Sequence, residues 1–518
     1  MEYLVSGILG LPLLAAAWVG IRQLFGQVQG DQSEVMTAWA VILATLVSTL
    51  LCVGLAIWPA AEYPIVTLGT WLNSELFVVP LSFYTGGLNM HIAAVFAVIM
   101  LSMMRFAVNY LHREAGFHRF FFILSLFAAA ILMLLLSATM IGTFIGWELA
   151  GVCSYLLVAY AYNSAVPVFN ATRIFITNRI GDVAFLLGIG LSFSYIGDVS
   201  WQALQQAAPE LTVTDTTVLA LCFAIAALVK SAQIPFTPWL ARAMEGPTVS
   251  SAVFYGAVSV HAGVFLVIFL QALFTQSFLA MSVLLILGIL TAGYSFWVGL
   301  TQTDVKSSYC FAISGQLGLM FAECGLGLWQ VATWHMLLHA LLRSYQMLHA
   351  PGFIQQVGEL PQRSFLTTLG KVRWVYVVSL QRFWLDPIAD WTIVHPALRL
   401  AKDLSYFDDH VIDSAMGIPA PAINALASLA QLEEQKIGAN LDNELDNFAR
   451  GSGLAGKLAE LVALILHWVE DRLVLRGVTE DALSLGRQLG HIANRIEQLL
   501  LRPRYLSLFV FITLLAAF

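Results

Sequence analysis

The chain has 518 residues, of which 59% are hydrophobic and only 11% charged, with a mean hydropathy of +0.79. A soluble domain carries about 25% charged residues, so this composition excludes a soluble globular protein and makes the bilayer its solvent, with no nucleic-acid partner expected. The formal net charge of −7 decides little, because placement of charge along a membrane chain matters more than its sum. Five cysteines stand singly in apolar segments, without a CxxC or Cys/His cluster. Neither a disulfide framework nor a metal or other cofactor site is therefore expected in this chain.

Apolar runs of about 20 residues, enough to cross the hydrocarbon core, recur up to residue 349. The predicted spans are 4–26, 35–59, 88–110, 119–137, 139–161, 172–195, 215–239, 248–274, 277–299, 305–326 and 328–349. The first run lacks a basic n-region, so no cleavable signal is expected. Loop 60–87 carries Glu62 and Glu75, and loop 196–214 carries Asp198 and Glu210, none with a basic residue. The alternate loops hold Arg22, Arg113 with Arg119, and Arg173. The positive-inside bias then puts the N-terminus outside and everything after residue 350 in the cytoplasm. The expected fold is all-α and polytopic.

Charges inside these spans stand out because the bilayer makes them costly. Glu148 is alone in the apolar run Phe144–Gly151. An isolated carboxylate there takes up a proton or seeks a cation, and Lys230 is its expected partner. Lys230 closes the run Ala226–Val229 and precedes Pro235 and Pro238, which must interrupt the helix. Broken helices at membrane depth survive only where they line a cavity or are buried in protein, so this pairing points to ion movement. Arg179 and Asp182 are spaced to pair locally with each other. His261, in the next span, is either a core histidine or a water-linked continuation from Lys230. Asp304 and Lys306 at a span entrance could form an interfacial pair. His335, His339 and Arg343 share one helix face; the guanidinium would repel a cation, which favours a polar stripe over a metal site.

From 351 to 504 charges return and apolar residues take helical spacing, most clearly in 454–476 and 480–500. These read as amphipathic helices for the membrane surface or a docked partner. Residues 505–518 form a short apolar anchor behind Arg502 and Arg504. Three domains are thus expected: 1–350, 351–504 and 505–518.

The membrane motifs resemble the antiporter-like subunits of respiratory NADH dehydrogenase and Mrp-type cation/proton antiporters. The resemblance rests on Lys230–Pro235, Trp239–Leu240, Ala243–Thr248, Trp147–Glu148, Asn178–Asp182, Gln302–Lys306 and His335–Ala340. It implies an ion path through Glu148, Lys230, His261, His335 and His339, supported by Arg179, Asp182, Asp304, Lys306 and Arg343. Two departures matter. Arg343 stands where the family has a lysine, and the family's second broken helix has no counterpart after residue 350. The short form and its tail resemble the DabB membrane subunit of inorganic-carbon accumulation complexes. That resemblance implies a DabA-like, zinc-containing, carbonic-anhydrase-like partner on the cytoplasmic side, with the catalytic chemistry in the partner and none in this chain. The alternatives are a NuoL-like subunit of an NADH-quinone oxidoreductase and a non-conducting scaffold.

Overall fold

The computed structural model describes residues 1–28, 30–58, 65–73, 78–257, 259–302, 304–350 and 373–407. The expected helices 454–476 and 480–500 and the anchor 505–518 lie outside the described residues. The protein is an all-α polytopic membrane protein. Among the described residues, eight helices are long and apolar enough to span: α1 (Glu2–Leu24), α2 (Asp31–Ile57), α3 (Gly87–Tyr110), α4 (Phe117–Leu136), α5 (Met140–Val158), α6 (Ala165–Ile196), α8 (Val213–Lys230) and α13 (Phe278–Gly299). A short helix α7 (Trp201–Ala207) lies between α6 and α8. Polar side chains start several of them: Thr139 Oγ1 accepts from Gly142 N at 3.1 Å, and Asp304 accepts from Ser307 N at 2.9 Å.

Helices α4 and α5 cross closely because Gly146 has no side chain; a β-carbon there would fall 2.5 Å from Leu134 N. Loop 60–87, expected to be plain connection, contains a hairpin of β1 (Ile65–Asn73) and β2 (Val78–Tyr84), with Ile65 opposite Tyr84.

Two of the predicted spans are discontinuous. The seventh stops at Lys230, not at Trp239, and chain direction is recovered only at α9 (Pro238–Arg242). In the gap Ala232 takes a φ of +51°. Side chains satisfy the freed backbone groups. Trp239 Nε1 donates to Val229 O (3.0 Å), Ser231 Oγ to Val260 O (2.7 Å), Gln233 Nε2 to Ser231 O (2.9 Å) and Tyr255 O–H to Leu240 O (2.5 Å). That substitution for water is what makes broken backbone tolerable at this depth.

The eighth span is not one helix but α10 (Thr248–Ser251), a π-helical turn (Ala252–Ala257), α11 (Ala262–Phe269) and α12 (Gln271–Phe274). Glycines let other elements close on it. A β-carbon at Gly256 would meet Ser344 Cα at 2.6 Å, and one at Gly263 would meet Ala227 O at 2.2 Å. The last two spans are α14 (Val305–Gly325) and α15 (Trp329–His349), with α15 packed against the π-helical turn.

The compact unit runs from Met1 to His395, past the boundary expected at 350. Residues 373–395 comprise a helix Arg373–Leu380, a tight turn, a helix Leu385–Ala389 and a π-helical turn Asp390–Val394. In the tight turn Arg382, Phe383 and Trp384 all have positive φ. Ion pairs fasten this strap to the bundle: Asp386 Oδ2 binds Arg242 (3.0 Å) and Arg382 (3.2 Å), and Asp390 binds Arg173. The unit that follows, from Pro396, is described through Phe407 and is helical there.

Candidate functional site

Helices α5, α6 and α8 bring two carboxylates and two cations together. Arg179 bridges both acids, reaching Glu148 Oε2 at 2.6 Å and Asp182 Oδ2 at 2.9 Å. Trp147 Nε1 donates to Asp182 Oδ1 at 2.9 Å. This corrects the expectation that Lys230 pairs directly with Glu148 while Arg179 and Asp182 keep to themselves. Arg179 has the longer, forked reach and takes both acids, as guanidinium geometry favours. Lys230 instead donates to Trp147 O at 3.1 Å and lies over the Trp147 ring, 4.9 Å from its centroid.

Lys230 is nevertheless 4% exposed and lies within electrostatic reach of Glu148 and Asp182. It is also the last residue of α8, where the negative end of the helix dipole steadies an ammonium. Glu148 Oε1 is buried and accepts no hydrogen bond among the described residues. Such an oxygen is a standing place for a proton.

A small cavity of about 10 Å³, room for about one water molecule, lies beside this cluster, lined by Gly151, Ser154, Asn178, Arg179, Lys230 and Ser259. Gly151 keeps it open, since a β-carbon there would stand 3.4 Å from Lys230 Nζ. Ser154 Oγ and Ser259 Oγ meet at 3.4 Å across it. Ser259 lies in the turn leading to His261, so the cavity joins the lysine to the second break.

Residues 137–375 match the family described as NADH:quinone oxidoreductase/Mrp antiporter, TM. NADH-ubiquinone oxidoreductase chain 5 of Rhizopus stolonifer is 30% identical over 354 residues, which is 68% of this chain and 53% of that protein. NADH-quinone oxidoreductase subunit L of Neisseria meningitidis is 33% identical over 54% of this chain and 44% of that one. The chain spans about half the length of the curated relatives it matches. The fold is also that of a chain in the Mrp complex from Dietzia sp. DQ12-45-1b, with a TM-score of 0.57, 24% identity, and coverage of 67% of this chain and 36% of that one.

Beyond the cavity the polar groups of the bundle change from carboxylates to imidazoles. His261 Nε2 and His339 Nδ1 are 2.9 Å apart, both residues buried. Arg343 Nε donates to His339 Nε2 at 3.3 Å. That donor assigns the tautomer: His339 Nε2 must be the acceptor, so Nδ1 carries the hydrogen and donates to His261 Nε2. Arg343 cannot itself lose a proton, but it sets the direction of the pair.

His335, four residues before His339, turns elsewhere. Its Nδ1 faces Glu323 Oε1 at 2.9 Å and its Nε2 faces Gln316 Oε1 at 2.8 Å. Glu323 thus has His335 as a partner. Asp304 and Lys306 do not pair with each other: Asp304 caps α14, and Lys306 donates to Thr248 Oγ1 at 2.8 Å. Sequence reasoning gave no role to Trp147, Ser154, Ser259 or Gln316. The readable signal for Ser259 is its place two residues before His261; Ser154 carries none.

Proposed function

We propose that this chain moves protons across the membrane as a subunit of a multi-subunit complex of the NADH:quinone oxidoreductase/Mrp type. One observation carries the reading: a buried lysine at a helix break shares a water-sized cavity with Ser259, two residues before the buried His261 of the His261–His339 pair at a second break. Lys230 is the gate. Its ammonium is held by a carbonyl, an indole face and two nearby carboxylates shared with Arg179, so movement of Arg179 or protonation of Glu148 shifts the balance of charge around it. Proton transfer along such a chain needs donors and acceptors in hydrogen-bond reach, which the His339–His261 pair supplies. The protein's N-terminus is then outside and residues 351–504 lie on the cytoplasmic side of the cell inner membrane. Any redox or hydration chemistry belongs to a partner subunit.

The test uses the purified complex in vesicles with an imposed potassium-diffusion potential and an internal pH dye. Lys230→Ala is expected to lower proton flux about 100-fold with the complex intact, the scale of a lost acid–base group. Flux equal to the unaltered protein would defeat the gate. A non-conducting scaffold would tolerate neutralising Glu148, Lys230 and His261 together.

A second reading is the inorganic-carbon subunit with a DabA-like zinc protein docked on the cytoplasmic face. Exposed Trp374 and Trp391 on the strap favour a neighbour at that position. The relatives support the oxidoreductase-type assembly better. Affinity capture separates the two, since a zinc carbonic-anhydrase-like protein and a quinone-reducing module are chemically unmistakable.

A further inference from the structure

We infer that Glu323, His335 and Gln316 form a proton-loading site at one mouth of the path, a role that rests on the proton-translocating reading. The position comes first. Glu323 is two residues from the end of α14, and Leu328 N closes the turn onto Glu323 O at 2.9 Å. With a rise of 1.5 Å per residue it stands about 27 Å along α14 from Val305, close to a full hydrocarbon thickness. His335 lies nearly two turns into α15, and both side chains keep about a fifth of their surface exposed, Glu323 at 21% and His335 at 22%. Both side chains are thus partly open at this end of the bundle and not sealed inside it.

From there α15 leads inward. His339 is one turn deeper and Arg343 two, about 6 and 12 Å along the axis. The His335 and His339 rings are perpendicular with centroids 6.1 Å apart, a separation that one water molecule bridges. His339 then donates to His261 at 2.9 Å.

The hydrogen bonds at the mouth describe a loaded state. His335 Nδ1 faces a carboxylate oxygen and Nε2 faces the Gln316 amide oxygen. With the Gln316 amide in this orientation both ring nitrogens point at acceptors, the pattern that suits a doubly protonated ring, while the reversed amide suits the neutral Nδ1–H ring. Releasing the Nε2 proton inward leaves a lone pair there, and Gln316 answers by turning its amide to present N–H. The neutral ring, still Nδ1–H, then flips about its Cβ–Cγ bond so that the bare nitrogen faces Glu323, which takes a proton from water and passes it to that nitrogen; the imidazolium re-forms and Gln316 turns back. Each cycle moves one proton, with no net change at Glu323 or Gln316.

The experiment compares Glu323→Gln, Glu323→Asp and Lys230→Ala in the same vesicle assay, beside ¹⁵N-histidine solid-state NMR of the whole complex. Glu323→Gln should cut flux about tenfold and convert His335 from imidazolium to neutral imidazole, while Glu323→Asp should keep at least half the flux. If Lys230→Ala abolishes flux but Glu323→Gln leaves it unchanged, the loading site is wrong and the translocation reading stands. Equal loss in the Gln and Asp variants with His335 still charged also overturns it, because a proton carrier tolerates the shorter acid. Absence of flux in the unaltered complex overturns both.

Discussion

The two halves of the buried path hold protons by different physics. Around Lys230 the contacts are charge to charge: two carboxylates share one guanidinium, and the ammonium leans on a carbonyl and an indole. Around His261 the contacts are nitrogen to nitrogen, with the direction imposed by Arg343. The first arrangement stores alternatives, because a shared partner can be redistributed. The second stores a direction, because a tautomer once fixed leaves one donor and one acceptor.

That contrast can be broken at Arg179. Arg179→Gln leaves Glu148 and Asp182 facing each other without a cation, and should destabilise the detergent-solubilised protein by about 2 kcal/mol. Partial exposure of the guanidinium keeps this below the loss expected of a fully buried pair. Thermal unfolding would measure it, and adding Glu148→Gln should restore part of the loss through coupling between neighbours. Full additivity would mean the shared bridge is not a unit. Arg343→Met probes the other half. Removing the donor to His339 Nε2 should let both His339 tautomers appear in ¹⁵N spectra and lower flux about tenfold, the equivalent of one hydrogen bond to a charged group. A single unchanged tautomer would show that something else orients the ring. The smallest effect is expected from Trp147→Phe, which removes the indole N–H to Asp182 but keeps an aromatic face under Lys230. About 1.5 kcal/mol of stability should go, with flux within threefold of normal; a larger flux loss would give Asp182 a part in transfer.

Much of this was legible in the sequence, for physical reasons. Lys230, Glu148 and the histidines announce themselves because each is expensive in an apolar run, and Pro235 with Pro238 dictates a break after the lysine. Partner choice was not legible. Spacing says Arg179 can reach Asp182, but whether it also reaches Glu148 depends on how α5 and α6 pack, through contacts such as Trp147 on Phe185 and Asp182, which spacing does not reveal. The His261–His339 contact was hidden for a similar reason: it needs the eighth span to break and α15 to approach it at Gly256, and neither follows from hydropathy. The hairpin 65–84 was overlooked because short strands between long apolar runs leave little periodic signal.

The strap over residues 381–394 has a mechanical corollary. Arg242 ends the short helix that follows the Lys230 break, and Arg173 lies on the same helix as Arg179. Lifting the strap would strand guanidinium groups on both elements at once, with no counter-charge left to quiet them. A pull applied from outside to this belt is therefore felt at two struts that frame the lysine, before any side chain between them has moved.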